Sequence, residues 1–370
     1  MKKKAQNILF IIPDYAYARA KYDYIISKIA EGHKLNILTS KEVKKQWRLV
    51  FGLRKLKIPK ELIHILLSFV FRIAYRPKVI GFFDESTKYS NALKKYSGAK
   101  VINIAHAVTG DERFYNNIFF DYYFIYGRSS MNNMLNNHNL SINAKVNIVG
   151  PIWSEVSLML DKHNDEEFLR FLKSVKSRYK RIILITSQWT KSEYHKEGLR
   201  PNYEDLIAFI KNSSDFYFVV RKHPRECEEE KIWDRLEGRS NISIRSSGLE
   251  GFTVYRDVVD LHITVFSNAA IDLALLNIPT IFFNKNGHHD NYIIKPGSAM
   301  LTKSLDALKE MVVNGVSPED FKEFIQYNFE HIDFNSTERL RRHLKKIISG
   351  EKLDESEFLQ IKKQRADTSV

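Results

Sequence analysis

A chain of 370 residues is long enough for two or three domains, and 44% hydrophobic with 12% aromatic residues is enough for packed cores. Only 15 Gly and 9 Pro exclude a low-complexity chain, and the single cysteine, Cys227, excludes an intrachain disulfide and a multi-cysteine metal site. The net charge of +14 favours an anionic partner such as nucleic acid, phospholipid headgroups, phosphorylated ligands or acidic glycans, although a lysine-rich solvated surface would give the same number.

The chain opens on Ile8-Leu9-Phe10-Ile11-Ile12, a continuous apolar run that predicts a strand buried on both faces and is too short for the core of a signal peptide. A helix is expected over 15–31, then a strand over 34–39. The segment 41–60 is strongly basic with Trp47, Leu49, Val50 and Phe51 interspersed, and an amphipathic helix follows over 60–75. That pair of segments fits docking on anionic lipid; packing of the helix on a sheet is the plainer alternative. Further strands are expected at 79–83, 100–104, 122–125 and 146–149, where Gly150-Pro151 punctuates the chain.

After a polar helix over 165–179 the alternation restarts. Strands are expected at 181–186, 216–220, 242–244, 261–265 and 280–283, with helices at 203–211 and 268–276 and more helices to the end. Strands alternating with helices imply parallel sheets. The reading is therefore α/β, with two Rossmann-like doubly wound parallel-sheet domains facing across a cleft. The expected boundaries are 1–150, 151–350 and a charged tail at 351–370. No run approaches the roughly 18 apolar residues of a membrane span, so a cytoplasmic protein is expected, with a peripheral position on the inner face of the cell membrane as an extension of the lipid-docking reading.

Ligands of doubly wound sheets bind beyond the carboxyl ends of the strands, so the residues just after strands carry the chemistry. Three such segments stand out. The first, 105–111, holds His106 and Asp111, either of which could act as a general base, and Gly110, which permits close backbone approach. In the second, Arg221-Lys222-His223-Pro224, the proline forces His223 into extended backbone at the strand end among cations suited to a phosphate. In the third, Ser267 and Asn268 are good caps at the start of a helix, where free amides attract anions, and Asp272 lies one turn on, placed to accept ribose hydroxyls. A capped loop histidine, a basic surface turn and an ordinary helix cap are the plainer readings of the three.

The run Gly287-His288-His289-Asp290 lacks a third anchored metal ligand and reads as an exposed loop. Ser187-Gln188-Trp189 follows a strand and borders the expected cleft. Neither G-x-G-x-x-G, nor a P-loop, nor an Asp-x-Asp triplet occurs. No metal site and no cofactor are expected, and phosphate charge would be met by cations and a helix terminus.

In the order His106, His223-Pro224, then Ser267-Asn268 with Asp272 and Pro279, the chain resembles the GT-B glycosyltransferase superfamily. Within it, the chain is similar to the capsule-polysaccharide, polysialyltransferase and teichoic-acid glycerophosphotransferase branch. The resemblance implies metal-independent transfer of a sugar from a nucleotide-activated donor to a glycan or lipid-linked acceptor in surface polysaccharide synthesis. His106, Asp111 and His223 would be catalytic, and Arg221, Lys222, Pro224, Ser267, Asn268 and Asp272 would bind the donor. Ala107 after His106, and Val265-Phe266 before Ser267, depart from the glycerophosphotransferase pattern and point away from CDP-glycerol as donor. A UDP-sugar 2-epimerase of the same fold ranks second on these motifs: the His106 to Gly110 spacing matches, while Ser267-Asn268-Ala269 stands in place of a Ser-Gly-Gly loop. A basic nucleic-acid-binding protein is a further alternative, but with no recognition module nucleic acid is not an expected partner.

Overall fold

The computed structural model describes residues 5–14, 18–43, 45, 60–83, 90–108, 117–118, 120–136, 141–142, 144–160, 166–188, 193–223, 232–246, 251–285, 293–295 and 297–351. Two compact units result, one from residues 1–156 with 329–370 and the other from 157–328.

The first unit runs β1 (Asn7–Ile12), α1 (Arg19–Ile29), β2 (Lys34–Thr39), α2 (Lys60–Ala74), β3 (Val79–Phe82), α3 (Ser90–Tyr96) and β4 (Lys100–Ile104). It continues with β5 (Asn117–Ile118), β6 (Tyr122–Ile125), α4 (Arg128–Asn136), β7 (Ser141–Ile142), β8 (Lys145–Ile148) and the start of α5 (Ile152–Leu160). Its main sheet has the order β2-β1-β3-β4-β6-β8, parallel throughout, and β5 and β7 form a separate short pair. Ile8 to Ile12 are buried on both faces, as the unbroken apolar run predicts. Gly81 of β3 lies in register with Phe10 of β1, and a Cβ there would run into the Phe10 ring.

The second unit runs α6 (Glu166–Lys176), β9 (Arg181–Thr186), α7 (Glu193–Lys211), β10 (Phe216–Lys222), β11 (Ile242–Ser246), β12 (Leu261–Thr264), α8 (Ala269–Ala274), β13 (Thr280–Phe283), β14 (Leu301–Thr302), α9 (Leu305–Asn314) and α10 (Pro318–Asn328). Its sheet order is β11-β10-β9-β12-β13-β14, again all parallel. Alternation along each strand feeds two cores. Ile183, Ile185, Phe218 and Val220 pack with Leu206 and Ile210 of α7 on one face. Ile182, Leu184, Tyr217 and Val219 pack with Leu172 of α6 and Leu273 of α8 on the other.

Two parallel six-stranded sheets with helices make this a two-domain α/β fold of GT-B type. The division differs from the expected one at both ends of the second unit: residues 151–156 fall in the first unit, and so does a longer C-terminal stretch. Residues 329–350, read from the sequence as part of 151–350, belong to the first unit. Their helix, α11 (Ser336–Ser349), is tied there by the buried carboxylate of Glu155, which accepts from the Ser336 amide at 3.0 Å and its hydroxyl at 2.7 Å. Arg339 Nε donates to the Val149 carbonyl at 2.7 Å, and Arg128 pairs with Glu330 at 2.6 Å. Gly150 has φ +103°, and a Cβ on it would collide with Ser336 Oγ, so the junction requires glycine there.

The helix expected over 203–211 begins ten residues earlier and carries Pro201 inside it. The expected tail beyond Glu351 and the basic segment from 46 to 59 lie outside the described residues.

Candidate functional site

In the second sheet the chain steps outward from β9 to β10 and β11, then returns to the other side of β9 as β12. Between β9 and β12 the connections diverge, leaving an opening at the carboxyl ends of the strands where such folds bind ligands. Thr186, Ser187 and Gln188 leave β9 at this point. His223 follows β10 and Ser267-Asn268 follow β12, so both segments emerge on one edge of the sheet, on either side of β9.

The loop after β9 is bonded to both neighbours. Ser187 N–H donates to the Arg221 carbonyl at 3.1 Å, and Ser187 Oγ accepts from the His223 amide at 2.7 Å. On the other side Gln188 Nε2 donates to Thr264 Oγ1 at 3.0 Å, while the Gln188 amide donates to Tyr203 Oη at 2.6 Å. The ends of three strands are thereby held as one rigid edge.

Beneath it lies a polar network that the sequence reading did not anticipate. Thr186, His262, Thr264 and Thr280 are buried, and they sit in register across β9, β12 and β13 on one face of the sheet. Thr264 Oγ1 donates to the Thr186 carbonyl at 3.2 Å, and Thr186 Oγ1 donates to Thr264 Oγ1 at 3.1 Å. With its hydrogen so committed, Thr186 Oγ1 accepts from His262 Nε2–H at 2.9 Å. His262 Nδ1 therefore carries no proton and accepts from Thr280 Oγ1 at 2.9 Å. One tautomer satisfies every group in the chain. Burial first, and the Arg221 charge second, hold the His262 pKa down at about 3, so the ring is neutral. The Ser267 amide also reaches Thr264 Oγ1, at 3.4 Å, which joins the network to the start of the next segment. Polar residues at 262 and 264 of an otherwise apolar strand were the available signal, since an i, i+2 pair shares one face.

The cations at the end of β10 do not converge. Arg221 follows Val219 on the α6 face, where its guanidinium lies 4.1 Å over the Phe252 ring centroid. Stacking engages the face of the guanidinium, and its hydrogen bonds are made in the plane. Lys222 turns to the opposite face and pairs with Asp234 at 3.5 Å. Of the expected group, Arg221 stays on the α6 face, Lys222 leaves it, and Ser267 is tied through its amide to Thr264 Oγ1. Pro224 lies outside the described residues.

Helix α8 is only six residues long. Ser267 Oγ accepts from the Ala269 amide at 3.1 Å, so Ser267 does the capping; Asn268 is already in helical backbone and makes no side-chain cap. Asp272 lies in the first turn. With so few residues, the attraction for an anion comes from local N–H groups and little from a summed helix dipole.

In the first unit, the sheet order places the divergence of connections between β1 and β3, with β4 next in line. His106 follows β4 and is exposed; its carbonyl accepts from Tyr126 Oη at 3.0 Å. The half-buried Trp153 gathers the strand ends. Its ring lies 4.9 Å from Tyr22, 6.5 Å from Phe83 and 6.5 Å edge-on from His106, with Lys21 Nζ 5.2 Å over it. Asp111 and Gly110, and the 287–290 and Trp189 candidates, lie outside the described residues.

This architecture, two doubly wound units with a structured strand-end edge, recurs among solved structures. No protein-family model matches the chain, and neither does any curated protein sequence. Solved structures do match in fold. The UDP-GlcNAc 2-epimerase of Neisseria meningitidis, bound to UDP-GlcNAc, is 15% identical with a TM-score of 0.59, over 92% of this chain and 99% of that one. The S. aureus MnaA–UDP structure is 12% identical with a TM-score of 0.62, over 94% and 99%. The wall teichoic acid polymerase TagF with CDPG is 12% identical with a TM-score of 0.51, over 93% and 89%. At such identities the likeness establishes the shared fold.

Proposed function

We propose that the protein is an enzyme acting on a nucleotide-diphosphate sugar, with the diphosphate bound at the carboxyl edge of the second sheet. The observation that carries this reading is the joining of three strand ends through Ser187, Gln188 and Thr264 at the point where the connections diverge. In this reading Arg221, His223 and the amides after Ser267 meet the phosphate charge, and Asp272 holds the ribose. Charge that builds on the diphosphate during reaction is best stabilised by such prearranged donors.

Two reactions fit. Epimerisation of a UDP-sugar at C2 is supported by the comparisons, because the structures described as UDP-GlcNAc 2-epimerases align over nearly their whole length, with higher TM-scores than TagF. That support is of fold, and it reverses the order suggested by the sequence motifs. Transfer of a sugar to a glycan or lipid-linked acceptor is supported by the motif order from His106 through His223 to Asp272, with His106 or Asp111 as base. Incubation with UDP-GlcNAc alone separates them: interconversion of the sugar in the absence of acceptor supports epimerisation, and no reaction until a glycan acceptor is added supports transfer. If thermal stability is unmoved by every nucleotide and nucleotide sugar tried, both readings fall.

A further inference from the structure

Helix α2 buries one face and leaves the opposite face uncovered. Leu67, Ser68 and Phe71 are buried, at 5%, 0% and 0% exposure. Leu62, Phe69 and Ile73, at 45%, 41% and 72% exposure, follow a spacing of seven and four residues and form one stripe. At about 100° per residue this stripe falls on the side of the helix opposite Phe71. A helix that is apolar all round is ordinarily buried all round. Here the sequence keeps large apolar groups on the open side, where a surface helix would carry polar ones.

The charge around the stripe is mostly positive, with Glu61 at the start of the helix the acidic exception. Between Leu62 and Phe83 there is no Asp or Glu, while Arg72, Arg76 and Lys78 are all exposed. The neighbouring helix α3 packs on α2 and brings exposed Lys95 beside Tyr96, whose ring is 6.2 Å from Phe69. The chain just ahead of α2 has the same bias: residues 41–60 hold eight Lys or Arg against one Glu, half of the net +14. An apolar stripe rimmed by cations matches a surface with an oily interior and anionic headgroups.

We infer that the open face of α2, with Leu62, Phe69 and Ile73 inserted and Arg72, Arg76 and Lys95 at the rim, docks the protein on an anionic phospholipid surface. Among the described residues no helix is long and apolar enough to cross a membrane, so the contact would be interfacial. This inference neither needs nor tests the sugar chemistry.

The test is co-sedimentation of the full chain with phosphatidylglycerol-containing vesicles and with neutral phosphatidylcholine vesicles. Binding is expected only to the anionic vesicles and should weaken as salt is raised, since rim charges are screened. Phe69→Ser with Ile73→Ser should lower the vesicle-bound fraction about tenfold or more, with cooperative thermal unfolding retained as the check that the variant is folded. Should the double variant fail to fold, Ile73→Ser alone, at the most exposed position, carries the test. Equal binding to neutral vesicles, binding untouched by the substitutions, or no vesicle binding would overturn the inference. A wild-type dimer that the substitutions convert to monomer would assign the stripe to a second copy instead.

Discussion

His262 offers a direct test of the network under the second sheet, through the substitution His262→Phe. The ring is fully buried and hydrogen-bonded at both nitrogens. Phenylalanine keeps roughly its size and removes both bonds, leaving the Thr280 hydroxyl without an acceptor and Thr186 Oγ1 without a donor. Thr186 Oγ1 keeps its bond to Thr264 Oγ1, so the Thr280 hydroxyl is the group left stranded, at a cost of about 1 to 3 kcal/mol at neutral pH. A second effect has a distinctive sign. In the unfolded chain the imidazole titrates near its ordinary 6.5, whereas in the fold it stays neutral down to about 3. Its contribution is therefore complete above 6.5 and is lost as the pH falls from 6.5 toward 3. Between pH ~7.5 and ~5 the wild type loses about 2 kcal/mol through this one group, at about 1.4 kcal/mol per pH unit below 6.5. The Phe variant has no such group, so its deficit should shrink by about 2 kcal/mol at the lower pH. His343, held at about 4 by burial and then by Lys346 and Arg342, titrates in both proteins and cancels in the difference. Urea unfolding followed by circular dichroism at the two pH values measures it. A deficit that stays constant with pH would refute the assignment of His262 as a neutral, doubly bonded ring.

The remaining expectations are simpler. His223→Ala should lower turnover of the nucleotide sugar about 100-fold if the side chain meets charge on the diphosphate, and unchanged turnover would remove it from the scheme. Ser267→Ala takes the acceptor from the Ala269 amide, and should cost about 1 kcal/mol of stability along with weaker nucleotide binding by calorimetry. Gly150→Ala should destabilise by about 2 to 4 kcal/mol, from positive φ and the collision with Ser336; a melting temperature within a degree of wild type would show that the junction can yield.

Much of the architecture was legible because buried parallel strands write themselves as unbroken apolar runs. The strands over 181–186 and 280–283 come out with the expected limits. Pro201 hid the first turns of α7, since proline argues for a boundary that the surrounding packing overrides. The return of α11 to the first unit was not legible at all. Its periodicity reveals an apolar face, but the Ser336 and Arg339 contacts that choose which core receives it pair residues about 180 positions apart. The edge of the second sheet was partly legible. Positions after strands pointed to His223 and Ser267, and the His262 network emerges only once β9 is known to lie between β10 and β12. Alternation along β10, which sends Arg221 and Lys222 to opposite faces, was available in the sequence and outweighed there by their adjacency.

Hydrogen exchange with and without bound UDP-GlcNAc tests the central claim most directly. Amides at 186–188, 221–223 and 264–269 should slow together when the ligand is added, because the proposed diphosphate site is framed by all three stretches. Ligand binding that leaves those amides exchanging at their free rates would contradict the placement of the diphosphate at this edge.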